Sequence, residues 1–409
     1  MRAQRRRRAA GAIAALRAVC AALLVVTLSA CSAPAPDTGA DDDHAPYRIG
    51  LIASQSGAGA LYGAQQLDST KWAAGLINEA GGIDGHPIEI VLRDDRSDPE
   101  RGPVVMRELI EDEGVVAVIG PTLSIVSQQA HPVANELQTP VLAISNAVEG
   151  IVGDCPYACE WIWRNSLGER VAVQANVSAY VFQDKPRSAV TVKTRDDILG
   201  TNGVAYATAA FEHEGVPVVG QVELDRDEYM NDKLAELLAA EPDALFIGST
   251  YGDWAAGLMR EARALGYTGQ FLGGNIFNSE RTRELAGEAG IGTRSGAAWV
   301  ISNGFPANDK FVDAYERAIG RLPDQFDAQG ATAIQILAAA LTQADAGGLP
   351  LVEQRAALQA ALPDVAISTV LGPFRFTADH DVDQIVWVLE MTEDGHRLVA
   401  FCDPDCGSH

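Results

Sequence analysis

Acids and cysteines set close together are the residues of this 409-residue chain best suited to chemistry. Asp94-Asp95-Arg96-Ser97-Asp98 sits at the end of an expected strand, where grouped carboxylates can hold a metal ion. A simpler reading is a solvated strand end, with Asp98 capping a helix that starts at Pro99. Asp196-Asp197 forms a second doublet, a candidate carboxylate dyad, for which an exposed loop after a strand is again the simpler account. Gly57, Gly59 and Gly63 follow a strand as a dinucleotide-binding loop would. Their spacing is one residue too long, and Asp94 lies 31 residues past Gly63 rather than about 20. The seven histidines form no H-E-x-x-H, and no G-x-S-x-G elbow occurs. The expectation is a protein with no catalytic residues, no metal and no cofactor.

The first thirty residues bear on the compartment. Arg2 and Arg5 to Arg8 precede a short apolar run, Ala18 to Leu28, and then Leu28-Ser29-Ala30-Cys31. That run is too short to cross a bilayer of roughly 30 Å, so residues 1–30 read as a cleaved signal peptide. L-S-A-C resembles a bacterial lipobox, which makes Cys31 the expected lipidation site. The chain is then expected outside the cell's interior, lipid-anchored on the outer face of the cytoplasmic membrane. Residues 31–45, with Asp41-Asp42-Asp43, read as a flexible tether. In an oxidising compartment Cys155, Cys159, Cys402 and Cys406 favour two short-loop disulfides, C-P-Y-A-C and C-D-P-D-C. A four-thiolate metal site is the rival reading.

With 31 basic and 55 acidic residues, the balance argues against nucleic-acid partners. From Tyr47 onward, short apolar runs alternate with amphipathic stretches. Strands are expected at Tyr47–Ala53, Ile88–Arg93, Val115–Ile119 and Val141–Ile144. A second series follows at Ser188–Lys193, Val218–Val222, Ala244–Ile247, Gln270–Gly273 and Ala297–Ile301. Such alternation implies an α/β fold: two doubly wound, parallel-sheet lobes. Ligands of such sheets bind beyond the carboxyl ends of the strands.

Several stretches carry a family resemblance: I-G-L-I-A-S-Q-S-G (49–57), I-N-E-A-G-G-I-D-G-H-P-I-E-I-V-L-R-D-D-R-S-D-P (77–99), V-V-A-V-I-G-P (115–121), L-M-R-E-A-R-A-L-G-Y (258–267) and L-G-P-F-R-F (371–376). The chain resembles the leucine/isoleucine/valine-binding family of substrate-binding proteins, which have the type I periplasmic binding fold. The likeness implies lobe 1 at 46–166 plus 300–383, lobe 2 at 167–299 plus 384–409, and a three-segment hinge that Trp161 and Trp163 flank. It also implies a monomer that captures a small solute by cleft closure and passes it to ABC permease subunits. The alternative is a sensory module reporting a solute to a membrane receptor.

Residue by residue, the resemblance places Ser124 on a ligand carboxylate, a serine that is equally suited to cap its helix. It assigns backbone groups to Ala147 and aromatic walls to Tyr62 and Tyr251. Three positions depart from the amino-acid binders. Glu149 replaces a threonine, Leu199 a tyrosine, and Asn275 the acid that holds the ammonium. A carboxylate beside a carboxylate repels, and an asparagine neutralises nothing. The expected ligand is therefore cationic, amide-like or hydroxylated, with an aliphatic amino acid as the alternative.

Overall fold

The computed structural model describes residues 44–226 and 232–402. The expected signal peptide, nearly all of the expected tether, the expected lipidation site Cys31, and Cys406 lie outside the described residues. Among those described, no helix is long and apolar enough to cross a membrane.

The first part runs β1 (Tyr47–Ile52), α1 (Ala60–Glu79), β2 (Ile88–Arg93), α2 (Arg101–Arg107), β3 (Ala117–Ile119), α3 (Ser124–Glu136), β4 (Val141–Ala143) and β5 (Ile162–Arg164). The strands form one parallel sheet in the order β2-β1-β3-β4-β5. Both faces are covered, which is why β3 and β4 read as unbroken apolar runs, and β1 as a run broken only by Arg48, rather than as alternations. One face packs Ile49, Leu51 and Ile119, and the other packs Ile52, Val118 and Val141.

After β5 the chain crosses to a second sheet. There follow α4 (Glu169–Asp184), β6 (Ala189–Thr194), α5 (Ile198–His213), β7 (Val218–Leu224), α6 (Asp232–Leu238), β8 (Ala244–Gly248), α7 (Gly252–Ala264), β9 (Gln270–Gly273), α8 (Glu280–Ala286) and β10 (Arg294–Ala297). The expected strand Ala297–Ile301 thus ends where it was read to begin, because β10 pairs with β9 through Arg294 and Ser295.

The chain then returns. Helices α9 (Pro306–Ile319), α10 (Gln325–Ala344) and α11 (Leu351–Ala361) cover the first sheet, and a small sheet of β11 (Ala366–Thr369), β12 (Gly372–Phe376) and β13 (Val382–Asp383) follows. A third crossing leads to β14 (Val386–Thr392) and β15 (Gly395–Cys402), an antiparallel edge on the second sheet, ordered β15-β14-β10-β9-β8-β6-β7.

The crossings are tied together. Arg164 at the end of β5 is bonded by both branches of its guanidinium to Asp381, with Nε to Oδ1 at 2.7 Å, and reaches the Val148 carbonyl at 3.1 Å. Trp163 is buried and stacks on His380 at 3.7 Å. Cys155 and Cys159 are joined by a disulfide, and Cys402 is also disulfide-bonded.

Candidate functional site

In each sheet the strand order reverses once. The reversal lies between β1 and β3 in the first and between β6 and β8 in the second. Loops leaving such neighbouring strands diverge and open a crevice at their carboxyl ends. The two crevices face each other and share one cleft, with about 650 Å³ of empty space including the part open to solvent.

The first wall is built on hydrogen bonds among buried side chains. Gln66 of α1 accepts from the Thr122 hydroxyl at 2.7 Å and donates to Ser145 at 2.7 Å; Ser145 in turn donates to the Thr122 carbonyl at 2.6 Å. This ring locks the loops after β3 and β4 against α1. Helix α1 can come so close because residue 63 is glycine: a Cβ there would lie 1.9 Å from the Ser54 carbonyl oxygen. The result is that α3 points its amino end into the cleft. Its cap position is the extended Leu123, and no side chain caps it. Ser124 is therefore no N-cap. Its hydroxyl and the unpaired first N–H groups of the helix make an anion-accepting patch.

The opposite wall carries an acid. Asp197 caps α5 through the Gly200 N–H at 3.1 Å and accepts from the Thr250 N–H and the Thr250 hydroxyl, both at 2.6 Å. It is only 4% exposed and lines the cleft. The reading of Asp196-Asp197 as an exposed loop holds for Asp196 and is corrected for Asp197, since the Thr250 loop folds over its carboxylate. No lysine, arginine or histidine lines the cleft among the described residues.

Tyr62, Ser124, Ala147, Tyr251 and Asn275 all line this one cleft. The Ala147 carbonyl is taken by the Glu169 N–H at 2.7 Å. The Tyr62 ring packs, tilted by 33°, against Phe326, a wall residue that the sequence reading missed, with ring centroids 4.5 Å apart. Tyr251 carries the Arg226 guanidinium 3.9 Å above its ring. Leu199 packs against the cores of both lobes, as happens when a cleft is shut.

Glu149 does not belong to this set. Val148 turns into the core with no exposed surface, so its neighbour projects outward. The Glu149 side chain is half exposed and pairs with Arg170 at 3.3 Å. Its expected charge reversal beside the ligand carboxylate is therefore withdrawn. The grouped acids after β2 also differ from expectation: Asp95 is fully buried, bonded by the Ser54 hydroxyl at 2.6 Å, and serves the loop rather than solvent.

Glu169, the first residue of α4, was not singled out in sequence. Its buried carboxylate accepts from the Asn275 side-chain amide at 2.9 Å. Glycine at 274 leaves room for this contact, because a Cβ would sit 1.6 Å from Glu169 Oε1 and push the carboxyl group aside. Burial pushes the Glu169 carboxyl up to about 7. No local pattern marks it, as its partner is more than a hundred residues away.

The sequence profile of the periplasmic binding protein family matches residues 46–396. The chain belongs to the periplasmic binding protein family. Its role is solute binding. The Leu/Ile/Val-binding protein of Escherichia coli K12 is 23% identical over 350 residues, covering 82% of this chain and 88% of that protein. An amino acid binding protein of Pseudomonas aeruginosa is 27% identical over 309 residues, covering 73% and 79%. Among solved structures, the leucine binding protein LivK of Thermotoga maritima superposes with a TM-score of 0.77 at 20% identity, covering 88% of this chain and 99% of that one. An R. palustris ABC-transporter solute binding protein in complex with benzoate gives 0.77 at 22%, covering 88% and 97%. These two likenesses establish the fold, the type I two-lobed architecture.

Proposed function

We propose that this protein is the extracytoplasmic binding component of an ABC importer. It takes a small amino-acid-like or amide-like solute with an apolar body and passes it to the permease. Cys31 would carry the lipid that keeps it at the membrane. The observation that carries the ligand class is the pairing of opposite polar walls. The amino end of α3 at Ser124 suits a carboxylate or carbonyl, and the Asp197 carboxylate suits a cationic or N–H-bearing group. Between them Tyr62, Leu199, Ile276 and Phe326 offer an apolar enclosure. The amino-acid binders among its relatives and the benzoate-bound neighbour fit a carboxylate-bearing ligand. Asp197 supplies, from a different loop, the negative charge that Asn275 lacks.

Thermal unfolding against aliphatic and basic amino acids, their amides, aromatic acids, polyamines and sugars tests this reading. A ligand at about 100 times its dissociation constant stabilises by roughly 2.7 kcal/mol, a visible shift. Shifts confined to solutes bearing both a carboxylate or amide and an amino group support the proposal. Shifts confined to sugars or to polyamines overturn it.

A further inference from the structure

One buried glutamine reaches from the first lobe to a residue that lines the cleft. Gln325 is the first residue of α10 and is 2% exposed. Its neighbour Asp324 fixes the start of that helix, accepting from the Phe326 N–H at 2.9 Å and from the Gln65 side-chain amide of α1 at 2.7 Å. The Gln325 side chain meets the second lobe with both of its polar atoms. Oε1 accepts from the Ala298 N–H at 2.7 Å and from Asn278 Nδ2 at 3.4 Å, and Nε2 donates to Asn275 Oδ1 at 3.4 Å.

These bonds allow each amide one orientation. A backbone N–H can only donate, so the atom of Gln325 that faces Ala298 is the oxygen. Asn278 agrees with this: the Gly296 carbonyl can only accept and takes Asn278 Nδ2 at 2.8 Å, so the NH2 of Asn278 is the group near Gln325 Oε1. Gln325 therefore turns its own NH2 toward Asn275, and the atom it meets is Oδ1. Asn275 Nδ2 is left to Glu169 at 2.9 Å and to the Leu167 carbonyl at 3.5 Å, which occupies both of its hydrogens. What Asn275 still has for a solute is the second lone pair of its oxygen.

We propose that Gln325 is a positioning residue, which holds the Asn275 amide with its oxygen available to the cleft so that this position selects a solute N–H. The inference rests on the reading of this cleft as the solute site, and it deepens that reading. Asp197 provides charge for an amino group, and Asn275 provides a neutral acceptor whose direction is set from the other lobe. A glutamine is suited to the task because it carries an acceptor for Ala298 and a donor for Asn275 on one planar group. A glutamate at 325 would have no hydrogen to give Asn275.

Two measurements test this. The first needs no solute: nuclear Overhauser contacts of the Asn275 side-chain NH2 in protein with isotope-labelled asparagine. Wild type should place that NH2 beside the Glu169 side chain and away from Gln325, and Gln325→Glu should turn it toward position 325. A wild-type NH2 turned toward Gln325 overturns the proposal, as does an amide that keeps its orientation in Gln325→Glu. The second is the affinity ratio between leucine and isocaproate, the same skeleton without its amino group, or between the best binder of the solute panel and its deaminated form. Gln325→Met should lower that ratio about fivefold, the scale of one misplaced hydrogen bond. In an Asn275→Leu background the same substitution should leave the ratio unchanged, because Gln325 acts only through Asn275. A ratio that Gln325→Met does not move, or moves equally in both backgrounds, means that Gln325 merely braces the lobes, and the proposal falls. If no solute of the panel binds, it is the solute reading that fails, and the orientation of the Asn275 amide still decides the role of Gln325.

Discussion

The Asn275 side-chain amide donates to Glu169 across 2.9 Å, in a spot where a second carboxylate, Asp197, adds to the cost of ionising the acid. Burial is the larger cause, and together they hold Glu169 at about 7 against an ordinary 4.5. Between those values the folded chain keeps a proton that the unfolded chain has released. Stability must therefore fall as pH rises from about 4.5 through 7, the reverse of a salt-bridged acid. Glu169→Gln, neutral throughout, should match wild type near pH 4.5 and exceed it at pH 8, by at most about 3 kcal/mol. Urea unfolding at the two pH values checks this. A difference that does not change with pH would refute it.

Ser124 and Glu149 should part company on substitution. Ser124→Ala removes a hydroxyl at the free amino end of α3 that makes no capping bond, so the fold should barely notice. Binding should weaken by about tenfold or more, the worth of a hydrogen bond to a charged group. Glu149→Gln loses only an exposed pair with Arg170 and should leave affinity within about twofold. Calorimetric titration of both variants with whichever panel solute binds wild type decides. Equal losses would put Glu149 back in the cleft.

Much of this was legible because parallel strands buried on both faces write themselves as apolar runs. Tyr47–Ile52, Ile88–Arg93 and Ala244–Gly248 were read within a residue or so of their ends. The turns that line the cleft were found by the same logic, since position after a strand end is a local property, while the individual residues in them came from the family resemblance. Burial of a polar residue is not local. Asp197 looks like loop until Thr250, from the next strand of the sheet, closes over it. Glu169 needs the turn at Asn275 to make sense. Glu149 failed differently: in a loop, one residue of displacement turns a side chain from cleft to solvent, and Val148 took the inward place.

Asp197→Asn tests the second wall. The three donors that hold the carboxylate remain, but an amide offers one oxygen where two were used. About 1–3 kcal/mol of stability should be lost through the unsatisfied partners. The loss in affinity should be uneven. Solutes with a cationic amino group should weaken by tenfold or more, while carboxylates lacking one should weaken far less. Titrating an amino acid and its deaminated analogue against both forms measures the difference. Parallel losses would mean that Asp197 only braces its loop.

Arg164 and Asp381 join the first and third crossings between the lobes, and the pair is half sheltered, with the arginine side chain 4% exposed and the aspartate 32%. The guanidinium also serves the carbonyls of Asn146 and Val148, so one planar fork satisfies several buried acceptors. Lysine has no second branch to offer them. Arg164→Lys should thus cost roughly 2–3 kcal/mol, and Asp381→Asn less, since it is the more exposed partner. The double variant should lose less than the separate costs combined, because each single change already breaks the shared contact. Urea midpoints of the three variants give the coupling. A coupling near zero would show that the crossings are held by Trp163 on His380 and the surrounding packing, with the ion pair contributing nothing of its own.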